Sequence, residues 1–94
     1  MCGIVAQHGS PDPIALEKML DRLAHRGPDD AGALQLGESW LGHRRLSIVD
    51  VDGGRQPLAN EAEDRFLVGN GEVYNHECLR DELPGTRFLT DSDN

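Results

Sequence analysis

Aromatic side chains are scarce in this sequence, at 4 % of 94 residues, while glycine occurs 11 times. That balance leans towards disorder, but the apolar positions recur in short patterned blocks bounded by turn residues, which favours a compact, loop-rich domain. Cysteine is nearly absent as well. Two cysteines with no CxxC supply neither a disulfide framework nor a zinc ligand set, and a reducing cytosol suits them best. Long apolar runs are missing, so neither a signal peptide nor a membrane span is expected, and the chain reads as soluble and cytoplasmic. Positive charge is in short supply too: nine Lys and Arg against 17 Asp and Glu give a formal net charge of −8. Gripping a phosphate backbone requires a basic stripe, which these dispersed cations do not form, so nucleic acid is not an expected partner. The length allows one small domain whose burial on folding is limited, without internal repeat, low-complexity tract or linker.

What is present begins at Met1-Cys2-Gly3-Ile4. Removal of an initiator methionine ahead of a small residue leaves Cys2 with both a thiol and a free α-amine. Thiols ordinarily ionise at about 8.5 and α-amines at about 7.7–8.0, so one residue can act as nucleophile and as its own base. Hydrolases that pair a side chain with the N-terminal amine use this arrangement. With Met1 attached the amine is an amide and that base is lost. An isolated Met-Cys has no such meaning, and the rest of the chain must decide.

The pattern predicts a strand over Gly3 to His8, ended by Gly9-Ser10-Pro11, which ties the chain start into a sheet. A helix follows, capped by Ser10 or Asp12, with Leu16, Met19, Leu20 and Leu23 as its apolar stripe and a stop near Arg26-Gly27-Pro28. Ala33 to Leu36 and Ser39 to Gly42 read as strands joined around Gly37-Glu38, Leu46 to Val49 as a further extended segment, and Asp50 to Gly54 as a loop. That loop superficially has calcium-loop spacing, but Gly54 and Arg55 stand at the wrong positions and flanking helices are missing, so a metal site is rejected. Arg65 to Val68 reads as a strand, Asn75 as the cap of a helix through Leu79 to Leu83, and Arg87 to Leu89 as a final strand.

Several clusters have both a plain and a chemical reading. His25-Arg26-Gly27-Pro28-Asp29-Asp30 can be a capped helix end, which accounts for the glycine and proline but not for the adjacent His and Arg. Arg44-Arg45 can be a solvated patch, or its planar forks can bind an α-carboxylate. Gly69-Asn70-Gly71-Glu72 can be a type I′ hairpin turn, or the Asn70 amide and Gly71 N–H can cradle an oxyanion. Spacing alone favours the turn. Asp91 and Asp93 can be ordinary charges or bind a substrate ammonium. Cys78 reads as a small buried hydrophobe, and His8, His43 and His76 as structural residues without metal-ligand spacing.

Taken in order, Cys2-Gly3-Ile4, His25-Arg26-Gly27-Pro28-Asp29, Gly42-His43-Arg44-Arg45-Leu46-Ser47-Ile48-Val49-Asp50, Gln56-Pro57, Asn70-Gly71-Glu72-Val73-Tyr74-Asn75 and Thr90-Asp91-Ser92-Asp93 resemble the glutaminase domain of glutamine-hydrolysing asparagine synthetases. These are class II glutamine amidotransferases of N-terminal-nucleophile hydrolase type. The resemblance implies an α+β fold, an α/β/β/α sandwich of which residues 1–94 form the first half, with the remainder and the ATP-dependent synthetase domain outside this chain. It implies hydrolysis of glutamine to glutamate and ammonia through a Cys2 γ-glutamyl thioester, with the ammonia serving asparagine synthesis from aspartate. Asn70 and the Gly71 N–H match the oxyanion hole. Arg45 matches the clamp on the substrate α-carboxylate, and Glu72 and Asp93 match contacts to its α-amino group. A zwitterionic substrate head needs this pairing of one fixed cation with anions.

No cofactor or metal is expected in this segment, whereas ATP and Mg are expected in the synthetase domain. Glutamine, the rest of the glutaminase domain and the synthetase domain are the expected partners, with a homodimer allowed and no nucleic acid or membrane. The alternatives are another class II amidotransferase or a related amidating enzyme, or a non-catalytic truncated fragment acting as an interaction module. The Leu46-Ser47-Ile48-Val49-Asp50 segment and Gln56-Pro57 favour the asparagine branch.

Overall fold

The computed structural model describes residues 1–47, 53–88, 90, 91 and 93. Strand β1 (Gly3–His8) leads into helix α1 (Pro13–Arg22), followed by β2 (Asp30–Leu36), β3 (Ser39–Arg45), β4 (Leu58–Ala59), β5 (Phe66–Leu67) and helix α2 (His76–Asp81). Helix and strand are mixed, and the strands form two antiparallel sheets, one ordered β1-β3-β2 and the other β4-β5.

Local chemistry explains the first half. Gly9 and Ser10 take positive φ after β1, and the Asp12 carboxylate then accepts a hydrogen bond from Ala15 N at 3.3 Å, with Pro13 opening the helix. Asp12 rather than Ser10 is therefore the cap. β2 and β3 are joined by the two-residue loop Gly37-Glu38, whose Gly37 has a φ of 56°. A glycine at the first of two central positions is the pattern of a II′ hairpin, whose twist matches that of its strands.

Strand alternation gives the main sheet two unlike faces. On one, Val5 and Trp40 pack with Leu16 and Leu20 of α1, and Leu23 adds to the cluster. Glycines let the layers approach: a Cβ on Gly3 would lie 2.9 Å from Leu23, and one on Gly42 would meet the Trp40 ring at 2.4 Å. The opposite face carries His43 and Arg45 of β3, both buried. Gln56 lies over the sheet at Gly32, which has no side chain to obstruct its carbonyl; a Cβ there would sit 2.1 Å from the Gln56 oxygen. The fold thus places its buried apolar residues on one side of the sheet and its buried polar ones on the other.

Several expectations needed correction. β3 runs through His43-Arg44 to Arg45 rather than stopping at Gly42, and β2 starts at Asp30 rather than Ala33. β3 is the central strand, and pairing on both edges outweighs the weak strand preference of its charged end. α1 ends at Arg22, and the turns from Leu23 to Arg26 complete the approach to Gly27. β4 was not expected, and β5 is shorter than Arg65–Val68. Gly69-Asn70-Gly71-Glu72 is not a hairpin turn, because β5 ends at Leu67 and the chain runs on into α2. Asn75 does hold the N-cap position of α2, without a side-chain cap bond, and the helix is His76–Asp81 rather than reaching Leu83.

Cys78 is exposed rather than buried, since α2 has no buried residue to form a covered face. Arg87 and Phe88 form no strand; instead Phe88 lies under the Arg80 guanidinium, 4.7 Å from ring centroid to carbon. Leu46 and Ser47 follow β3 outside any strand, while Ile48, Val49, most of the Asp50–Gly54 loop and Leu89 lie outside the described residues. Among the described residues no helix is long and apolar enough to cross a membrane.

Because four of the described residues form the buried core, Leu20→Ala is expected to destabilise by about 2–5 kcal/mol. Ile14→Ala, at a position 70 % exposed on the same helix, should stay within about 0.5 kcal/mol. The midpoints of chemical unfolding followed by circular dichroism check both, and equal losses would refute this location of the core.

Candidate active site

Cys2 lies one step before the Gly3–Arg44 pair, at the end of β1 and beside the end of β3. Its half-buried sulfur accepts a hydrogen bond from Leu46 N at 3.4 Å and lies 3.9 Å from Leu46 O. Its own carbonyl accepts from Arg26 Nε at 2.9 Å. The turn after α1 is therefore a brace around the chain start. Gly27 makes it possible, since a Cβ there would come within 2.3 Å of the Arg44 backbone, and Arg44 Nε donates to Gly27 O at 3.0 Å. Asp29 completes it: its N–H donates to Arg45 O at 3.0 Å, and its carboxylate accepts from Ser47 N at 2.8 Å, fixing the residue after Leu46.

Arg45 is 4 % exposed, which overturns the solvated-patch reading of Arg44-Arg45. It shares a strand face with His43, about 7 Å along β3 at the ordinary rise of about 3.3 Å per residue. His43 Nε2 meets Gly69 O at 2.9 Å, so the ring donates from Nε2 and holds the segment that follows β5 onto the Arg45 face. The Gly69 N–H is taken by Gln56 Oε1 at 2.6 Å. Asn70, Gly71 and Glu72 follow directly and are exposed. Asp93 joins them from the end of the chain, its carboxylate accepting from Val73 N at 2.7 Å.

The candidate residues therefore fall into two groups, Cys2 with Arg45 at the strand ends and Asn70-Gly71-Glu72 with Asp93 on the following loop. His43 is the link between them. Sequence reasoning missed Leu46 N–H, Arg26, His43 and Gln56 as parts of this arrangement. Period-two alternation would have placed His43 beside Arg45 had β3 been extended to Arg45; the long-range bonds of Arg26 and Gln56 leave no local signal.

The model of the glutamine amidotransferase domain family matches residues 1–94. The chain belongs to that family. It is 45 % identical to the nodule asparagine synthetase [glutamine-hydrolysing] of Pisum sativum and 46 % to asparagine synthetase [glutamine-hydrolysing] 1 of Lotus japonicus, each time over 99 % of this chain and 17 % of the relative. The corresponding protein of Sandersonia aurantiaca is 45 % identical, with 19 % of its length covered. This amidotransferase chain thus spans less than a fifth of the length of these relatives.

Electrostatics of the candidate site centre on His43. Burial holds its pKa below the ordinary histidine range, the Arg45 charge pushes the same way, and the Gly69 hydrogen bond and Asp30 oppose them. The folded chain therefore prefers the neutral ring. Unfolded His43 takes up a proton near its ordinary pKa of about 6.5 and folded His43 only at lower pH, so this contribution to stability is complete above that value and lost as pH falls through the folded one. The thermal midpoint of the wild type is expected to fall more steeply below pH 6.5 than that of His43→Gln. Parallel pH profiles would refute a buried neutral His43.

Proposed function

We propose that this chain is the nucleophile-bearing part of a class II glutaminase domain with the N-terminal-nucleophile hydrolase fold, hydrolysing glutamine to supply ammonia for ATP-dependent asparagine synthesis. The observation that carries this is the Cys2 sulfur held against Leu46 N–H at the strand end beside buried Arg45. The names of the relatives support the asparagine branch.

In this reading Met1 is removed and the freed Cys2 amine takes the thiol proton. The sulfur, held in place by the Leu46 N–H, attacks the glutamine side-chain carbonyl carbon. The carbonyl oxygen becomes an oxyanion received by the Asn70 amide and the Gly71 N–H, donors that count most when charge develops. Collapse breaks the C–N bond, with the proton returned to the leaving nitrogen as ammonia departs, and water then hydrolyses the thioester. Arg45 holds the α-carboxylate, while Glu72 and Asp93 meet the α-ammonium. ATP and Mg belong to the synthetase domain, so no residue of this chain is given a role towards them.

The test is to treat the full-length protein with an electrophilic glutamine analogue, then measure intact mass and map the adduct. Loss of Met1 and a single adduct on Cys2 is the expected result, with the exposed Cys78 as the internal control. No adduct despite Met1 removal, or an adduct on Cys78 alone, would overturn the assignment. Cys2→Ala should abolish ammonia release from glutamine. Arg45→Lys should raise KM about tenfold or more while kcat changes little, because a point charge cannot reproduce the bidentate fork; an unchanged KM would exclude the carboxylate clamp.

A further inference from the structure

We infer that His43 and Gln56 are positioning residues that aim the Asn70–Gly71 oxyanion cradle by holding both backbone polar groups of Gly69. The inference rests on the oxyanion role proposed above for Asn70 and Gly71. Gln56 Oε1 accepts from Gly69 N at 2.6 Å, and His43 Nε2 donates to Gly69 O at 2.9 Å. With Arg45, these two are the buried polar side chains among the described residues, at 1 % exposure for His43 and 5 % for Gln56. No role in binding or proton transfer has been assigned to either.

The geometry explains why burying them serves the reaction. The N–H and C=O of Gly69 belong to the two peptide planes on either side of its Cα, so fixing both restrains the φ and ψ of the residue type with the widest backbone freedom. The second plane also contains Asn70 N and leads to its Cα. Among the described residues the Asn70 side chain has no hydrogen-bond partner, and apart from the two chain neighbours of Gly71 no heavy atom lies within 4 Å of where a Cβ on it would be. The direction of both oxyanion donors is therefore set through the backbone, and the clamped residue is their immediate neighbour.

The clamp is also anchored to the same strand as the substrate clamp. His43 is on β3 two residues before Arg45, and the Gln56 backbone is seated on Gly32, the β2 partner of His43. The α-carboxylate site and the oxyanion cradle thus share β3 as their reference, which keeps the two ends of one glutamine in register. A displacement of about 1 Å at a reacting centre can cost about a hundredfold in rate.

Kinetics of glutamine hydrolysis by the full-length protein test this. Gln56→Met and His43→Leu are each expected to lower kcat about tenfold to a hundredfold with KM changed less than about threefold, and His43→Gln, which keeps an Nε2 donor, to recover much of the loss. Asn70→Ala should lower kcat about 10²–10³-fold, and in that background Gln56→Met should cost clearly less than it does in the wild type, because one of the two donors it aims is gone. Where Gln56→Met does not fold, Gln56→Asn, an amide one methylene shorter, should show the same loss confined to kcat. Losses confined to KM, or a loss that multiplies in full on Asn70→Ala, would overturn the positioning role while leaving the oxyanion role standing. Undiminished hydrolysis by Asn70→Ala would instead remove the oxyanion reading itself, and this inference with it.

Discussion

The antiparallel register of β1 on β3, running from Gly3 opposite Arg44 to His8 opposite Ser39, is the constraint on which the remaining geometry hangs. Side chains alternate across a sheet, so a slip of one residue would exchange the faces of the whole strand. In the observed register Val5 meets the helix and Cys2 comes to the end of β3 beside Arg45. Ile4 and Val5 are adjacent and both apolar, so hydrophobicity alone does not choose between them. Small residues decide: Gly3 admits Leu23, and Gly42, opposite Val5, admits the Trp40 ring.

The polar face follows from that choice. Burying a guanidinium and an imidazole on the central strand is tolerable only where their polar atoms find partners and where the imidazole stays neutral. Gly69 O answers for His43, and burial together with Arg45 keeps its ring uncharged. The turn after α1 answers for the backbone at the end of β3, through Asp29 N on Arg45 O and the Asp29 carboxylate on Ser47 N. The residues that brace Cys2 thus also close the hydrogen bonding of the sheet end. Arg26, Gly27 and Asp29 therefore do more than end the helix, whereas His25 bonds locally to Arg22 O.

Legibility differed between the two halves for a physical reason. β1, α1 and the Gly37-Glu38 hairpin are specified by near neighbours, through a period-two run, a cap with an apolar stripe, and a glycine of positive φ, and each was readable. β3 was truncated because His43-Arg44-Arg45 does not look like a strand until both flanking strands pair with it. In the second half β4 and β5 offer two residue pairs and α2 buries nothing, so local pattern had little packing to reflect. Cys78 was misplaced for that reason, and so was the expected hairpin at Asn70.

The sequence by itself determined the chemical inventory: a cysteine behind Met1, an arginine fork, an Asn-Gly pair and carboxylates, in an order that matches one family along the whole chain. Residue identity and order survive without knowledge of contacts, and reactivity is a property of residue type. Only the tertiary structure decided which groups meet. The Leu46 N–H reaches the Cys2 sulfur, Arg26 reaches the Cys2 carbonyl, and His43 and Gln56 close on Gly69, each across more than ten residues of chain. Such bonds depend on strand register and on glycines that let backbones approach, and neither leaves a signature in the residues that bond.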